Sequence, residues 1–416
     1  MHRRVALLSA VTRRALAPLS AVTHRRLAAA SVPHRRLVTG SAVTRRRSAA
    51  LSAVAHRRLA ALSAVTLAAT AVTALAAAGP AQAGSRPGSG AGAGSSAGFG
   101  AAAEPGPVRW SATDSSSERT SVLRYWTSQR MLAARPYDTP TPRRATGFDQ
   151  PTQGTPWATR GASAALPQRA PLRVTTVAAH RPAEVVANST GLRWVDGGGV
   201  VRTVGRVFFT TAGGGNASCS GTAVTSANKS VVMTAGHCVK MGGAFHRNWV
   251  FVPGFDNGRR PLGTWVATRL LTTAQWNARE DINFDVGAAV VAPLQGRTLV
   301  DVAGGQGVAF NQPRQRQTFA FGYPAAAPFD GSALIYCSGR SFNDTVMTQD
   351  QGLACRMTGG SSGGPWFRGF DGSTGLGWLN SVNSFKYNFA PNVMMGPFFG
   401  NEAQALYQAA QTTNAL

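Results

Sequence analysis

From residue 200 onward, apolar positions come in short bursts. The stretches 200–210, 221–225, 230–233, 249–252, 286–291, 317–321 and 334–336 are β-branched or aromatic, and Gly, Pro or Asn separates them. Runs of this length and composition predict strands. A long series of them predicts an all-β fold, an antiparallel barrel or sandwich. The clearest helical pattern comes last: Asn401 stands where a cap belongs, and Ala403, Leu406, Tyr407 and Ala410 share one face through about Gln411. Upstream of 190 the apolar periodicity is short and broken, with one helix-like patch near 122–132.

The chain therefore divides into three parts. Residues 1–83 are an Arg/Ala-rich leader whose Ser-Ala-Val-Thr unit recurs from Ser9, Ser20, Ser41 and Ser63. These units lack aromatics and are too short to stack as a solenoid. Residues 84–189 are rich first in Gly, Ala and Ser, then in Pro, Arg and Thr. That composition predicts a mostly structureless linker or pro-segment. Residues 190–416 are long enough for one sizeable core.

Charge changes the picture only in its distribution. The 416 residues carry 42 Lys and Arg against 17 Asp and Glu, a net charge of +25. Such a balance points to nucleic acid or a membrane surface. However, the leader alone holds 13 Arg and no acid, while 190–416 holds 17 basic and 11 acidic residues. A uniformly basic nucleic-acid binder is disfavoured, and an Arg-rich RNA-binding arm is left as a reading of the leader only. Within that leader, Arg57-Arg58 precedes the apolar stretch 59–78, and Ala81-Gln82-Ala83 follows it. This is the order of a secretory signal peptide cleaved after Ala83. A retained membrane helix is the rival, but a stretch made mostly of Ala, Thr and Ser inserts poorly. The expectation is a secreted, extracellular, monomeric protein with no stable membrane insertion after cleavage and no nucleic-acid partner.

Export bears on the cysteines. Cys219, Cys238, Cys337 and Cys355 form two pairs close in sequence, and an exported chain favours disulfides over metal ligation. Four cysteines allow three connectivities. There is no C-x-x-C, and only His237 and His246 follow residue 190, so no metal site is expected.

Candidate chemistry lies in three places. Gly359-Gly360-Ser361-Ser362-Gly363-Gly364-Pro365 is either a flexible loop or a tight turn that exposes a serine and frees backbone N–H groups for an oxyanion. The following Trp366 and Phe367 favour an ordered turn. A serine nucleophile needs a base, and His237 is the candidate. The base needs an orienting group. Asp285 enters an apolar strand, where an unpaired carboxylate is costly; Asp281, the competitor, is expected to be solvated. The order His237, Asp285, Ser362 is one of the known triad orders.

Thr234-Ala235-Gly236-His237-Cys238, Asp285-Val286-Gly287-Ala288-Ala289-Val290 and the Gly-Gly-Ser-Ser-Gly-Gly-Pro stretch resemble the trypsin/chymotrypsin-like serine peptidase superfamily. The likeness is greatest to its secreted bacterial branch with glutamyl-endopeptidase-like relatives. It covers about 205–407, with motif spacings of 48 and 77 residues. The resemblance implies two packed antiparallel β-barrels with the site between them, a Cys219–Cys238 bridge, and Cys337–Cys355 left to pair. It implies that Ser362 attacks, His237 carries the proton, Asp285 orients the histidine, and the N–H groups of Gly360 and Ser362 bind the oxyanion. Protein or peptide substrates and no cofactor follow. Arg356 falls where the family places the base of the primary substrate pocket, and Ser381 matches a pocket serine. Ser361 stands where many members have the Asp that captures a new N-terminus, so that activation route does not carry over. A non-catalytic binding module on the same fold is the alternative, and all three triad residues speak against it.

Overall fold

The computed structural model describes residues 105–137, 148–165 and 187–416, all within the unit Ser96–Leu416. The leader, the signal-peptide stretch and its cleavage site lie outside the described residues.

Six antiparallel strands close into a first barrel. Around the ring they are Val204–Thr210, Asn216–Val224, Val231–Thr234, Gly287–Val291, Trp265–Thr272 and Arg247–Pro253, the last pairing back to the first. Closure leaves no free edge. Every position of Val204–Thr210 is buried, Arg206 included, which explains why apolar residues fall on both faces of the strand. Successive strand residues point to opposite faces, and both faces are covered: Trp126 packs on Phe208 and Tyr137 on Phe209.

The second half is built from a seven-stranded sheet and a three-stranded one. The larger runs in the order Trp157–Thr159, Gly307–Phe310, Leu376–Val382, Pro365–Asp371, Gln317–Gly322, Ile335–Arg340, Thr190–Arg193. Its pairings are antiparallel except between Gly307–Phe310 and Leu376–Val382. Phe342–Asn343, Gln351–Ala354 and Val393–Gly396 form the smaller sheet. Trp194 meets Phe321, Tyr336 and Phe370 edge-on in the core of this half.

The predicted strands are present, with one change of type. Residues 200–203 are the end of a helix, Gly199–Thr203, before the strand begins at Val204. Gly198 has φ of 76°, and a Cβ there would meet the backbone of Gly375 at 2.9 Å. A turn is therefore built in before the strand, and Thr203 closes the helix by donating to the Gly199 carbonyl. The terminal helix spans Asn401–Gln411, and its buried residues are Ala403, Leu406, Tyr407 and Ala410. Its cap is Gly400; Asn401 instead donates its N–H to the Thr152 carbonyl.

The expectation of a structureless 84–189 does not hold where that stretch is described. Val108–Ser111 pairs with Trp265–Thr272. Ser115 and Glu118 form a capping box on the helix Ser116–Tyr125, and Thr127 caps Ser128–Ala133. Arg135–Pro136 pairs in parallel with Asn216–Val224, and Trp157–Thr159 adds to the second sheet. Trp126 and Met131 are buried. These elements carry little periodicity because they are short and partly exposed. Partners more than eighty residues away hold them in place. Among the described residues, no helix is long and apolar enough to cross a membrane.

Candidate active site

The strand Val231–Thr234 ends in a tight 3-10 turn, Gly236–Cys238, that carries His237. Gly is required at 236, since a Cβ would lie 2.8 Å from the Trp276 ring. Cys238 bonds to Cys219 on the neighbouring strand, and Cys337 bonds to Cys355, as the resemblance implies. A second 3-10 turn, Ile282–Phe284, delivers Asp285 just before Gly287–Val291.

Asp285 grips His237 twice. Oδ1 accepts the His237 backbone N–H at 2.8 Å, and Oδ2 lies 2.8 Å from Nδ1. Ser384 donates its hydroxyl to the same Oδ2 at 2.5 Å. Both ionisable side chains are wholly buried. Three donors on one carboxylate offset the cost of burying it. With Nδ1–H committed to Asp285, Nε2 is the ring's free lone pair.

Ser362 sits in the turn before Pro365–Asp371. Gly360 has φ of 93° and Gly363 of 77°, and a Cβ on Gly363 would fall 2.0 Å from Thr234 Oγ1. The turn is tied to the first barrel through Ser220, whose N–H donates to the Ser362 carbonyl at 2.8 Å and whose hydroxyl donates to the Gly360 carbonyl at 2.9 Å. His237 Nε2 and Ser362 Oγ are both buried, and neither has a hydrogen-bond partner. The aspartate–histidine arm is thus formed, and the histidine–serine arm is not closed by a hydrogen bond.

No family model and no curated protein matches the chain. Solved structures do. The protease Anisep from Arthrobacter nicotinovorans is 43% identical, is covered over 100% of its length by 54% of this chain, and superposes with a TM-score of 0.50. The chain belongs to the trypsin/chymotrypsin-like serine peptidase superfamily. A thermostable serine protease, AL20, from an extremophilic microorganism is 46% identical over 52% of this chain and 100% of its own, with a TM-score of 0.49.

Three expectations about this serine peptidase fold need correction. Arg356 is exposed, with its N–H on the Thr190 carbonyl, so it forms no buried pocket base. Ser381 lies inside the strand Leu376–Val382, opposite Trp366, and its hydroxyl donates to the Pro397 carbonyl. Ser384, three residues on, is the serine that reaches Asp285. Asp281 is buried, not solvated; it accepts from the N–H groups of Asp149 and Asn283 and from Arg279.

Two further buried ionisable groups lie outside the three sequence motifs. His246 is buried, stacks on Phe209, and shares a 2.9 Å hydrogen bond between Nε2 and the His237 carbonyl. Burial pushes its pKa down to about 4. Asp350 is fully buried with neither carboxylate oxygen hydrogen-bonded. Burial and the charges of Asp285 and Asp344 raise its carboxyl well above the ordinary range. Cys219, His237 and Cys238 bring ligating atoms within 4.8 Å of one another, but the disulfide consumes both thiols.

Proposed function

We propose that residues 190–416 are the catalytic domain of a secreted serine endopeptidase. The observation that carries this reading is the two-point hold of buried Asp285 on His237, which leaves Nε2 as the one free ring position. Ser362 Oγ attacks the scissile carbonyl carbon, and its proton passes to Nε2. The tetrahedral oxyanion is received by the N–H groups of Gly360 and Ser362, each donor worth roughly 3–4 kcal/mol. The C–N bond then breaks, and the imidazolium protonates the departing amine. Water repeats the sequence on the acyl-enzyme, giving the acid and free Ser362. Asp285 stays ionised and stabilises the imidazolium. The chemistry requires no cofactor.

The two disulfides suit an oxidising compartment and accord with an export signal ending near Ala83. Substrates are proteins or peptides. The exposure of Arg356 speaks against that residue as the seat for an acidic side chain. The reading is tested in the secreted, active form of the enzyme by Ser362→Ala, which is expected to lower hydrolysis of a peptide amide by several orders of magnitude while the circular dichroism spectrum is unchanged. Activity equal to the parent would reject it.

A further inference from the structure

A working peptidase must admit substrate to its serine, yet Ser362 and His237 are both wholly buried here. The chain's own upstream segment reaches the site at Tyr137. Arg135 and Pro136 pair in parallel with Ala217 and Ser218. Tyr137 then donates its N–H to the Ser218 carbonyl at 2.9 Å, and its own carbonyl accepts the N–H of Gly360 at 3.2 Å. The first partner belongs to the first barrel and the second to the nucleophile turn, so one residue bridges the cleft. The Tyr137 ring lies along the His237 ring, with centroids 6.0 Å apart and planes at 20°. It also meets Phe209 and His246 edge-on.

The attachment behind Tyr137 is a built one. Trp126 is buried against Phe208 and donates its Nε1–H to the Asn248 carbonyl at 2.5 Å. Arg260 reaches back to the Trp126 carbonyl, and Met131 is fully buried. Ser218, which receives Tyr137, is itself fixed by the buried guanidinium of Arg206 on its hydroxyl. A segment anchored this way adds no association entropy when it covers the site, because it is part of the same chain.

We propose that the segment from Trp126 to Tyr137 is a built-in inhibitor. It holds the precursor inactive by placing the Tyr137 carbonyl on the oxyanion donor and the Tyr137 ring over the catalytic histidine. This rests on the peptidase reading above. In the covered state the Gly360 N–H is occupied by a main-chain carbonyl, so a substrate carbonyl finds one of its two oxyanion donors already taken. Activation then requires release of this segment. It does not require a new N-terminus paired with the residue before the nucleophile, where this chain has Ser361, its hydroxyl bonded to the Thr358 carbonyl.

The test uses the intact chain, checked by mass, and a small serine-reactive phosphonate. Tyr137→Ala is expected to label at least tenfold faster than the parent, while Tyr137→Phe, which keeps the ring, labels at the parent rate. Pro136→Gly, at a partly exposed position that loosens the parallel pairing, serves as a second variant should Tyr137→Ala fold poorly, and it too is expected to label faster. Labelling of parent and variants at one rate, all at Ser362, would overturn the inhibitor and leave the peptidase standing. No labelling of any variant, each shown folded, would overturn the peptidase reading and the inhibitor with it.

Discussion

Ser384 donates its hydroxyl to the same Asp285 oxygen that holds His237, at 2.5 Å against 2.8 Å for the histidine. The carboxylate is thereby fixed from the second half of the fold while it orients a residue of the first barrel. A hydrogen bond to a charged group is worth roughly 1.5–3 kcal/mol. Ser384→Ala is therefore expected to lower kcat/KM by about ten- to a hundredfold, with the loss in kcat and little change in KM. Steady-state kinetics with a peptide substrate, on the active enzyme freed of the Trp126–Tyr137 segment, measures this. An unchanged kcat would show that the hydroxyl does not position the carboxylate.

His246 links acid stability to the site. Its folded pKa, near 4, lies below the ordinary value of 6.5 because burial disfavours the imidazolium. The hydrogen bond to the His237 carbonyl opposes that shift only in part, and Phe209 and Tyr137 bring no carboxylate to offset it. Between about pH 6.5 and 4 the unfolded chain binds the extra proton, so this group's contribution to stability is lost as pH falls. The full effect is about 3 kcal/mol. His246→Phe is expected to lose less stability between pH 7 and pH 4.5 than the parent does, read from urea midpoints at both. Equal losses would contradict the assignment.

Asp350 has the opposite sign. Its folded pKa is raised, so above the ordinary carboxylate range the folded state holds a proton that the unfolded state has given up. Stability therefore falls as pH rises through that window. Asp350→Asn keeps the shape and removes the titration. It is expected to unfold at higher urea than the parent at pH 7, with the two converging near pH 3 and activity retained. A less stable variant at pH 7 would mean that the carboxyl has a partner that this geometry does not show.

These relationships differ in how much of them the sequence displays. His237, Asp285 and Ser362 are legible because each sits in a motif whose neighbours are dictated by geometry: Gly236 under Trp276, Gly363 against Thr234, Gly287 opening a buried strand. The strand series is legible because it is buried on both faces. Ser384 is less so, since Leu379 to Ser384 offers two serines and two asparagines, and only the strand's end at Val382 shows which serine turns toward Asp285. Arg356 lies at the expected distance from the nucleophile, but the backbone before the turn carries its side chain outward. Trp126 and Tyr137 are invisible as cover for the site because their partners, Phe208 and Gly360, are far along the chain.

In the proposed reaction Ser362 is the nucleophile, activated by His237. The most direct measurement is to react the Tyr137→Ala chain with a peptidyl phosphonate and locate the adduct by mass spectrometry. One adduct per chain, on Ser362, is expected, with none in the Ser362→Ala version and a greatly slowed reaction in His237→Ala. An adduct on another serine such as Ser361, or none in the folded protein, would contradict the account.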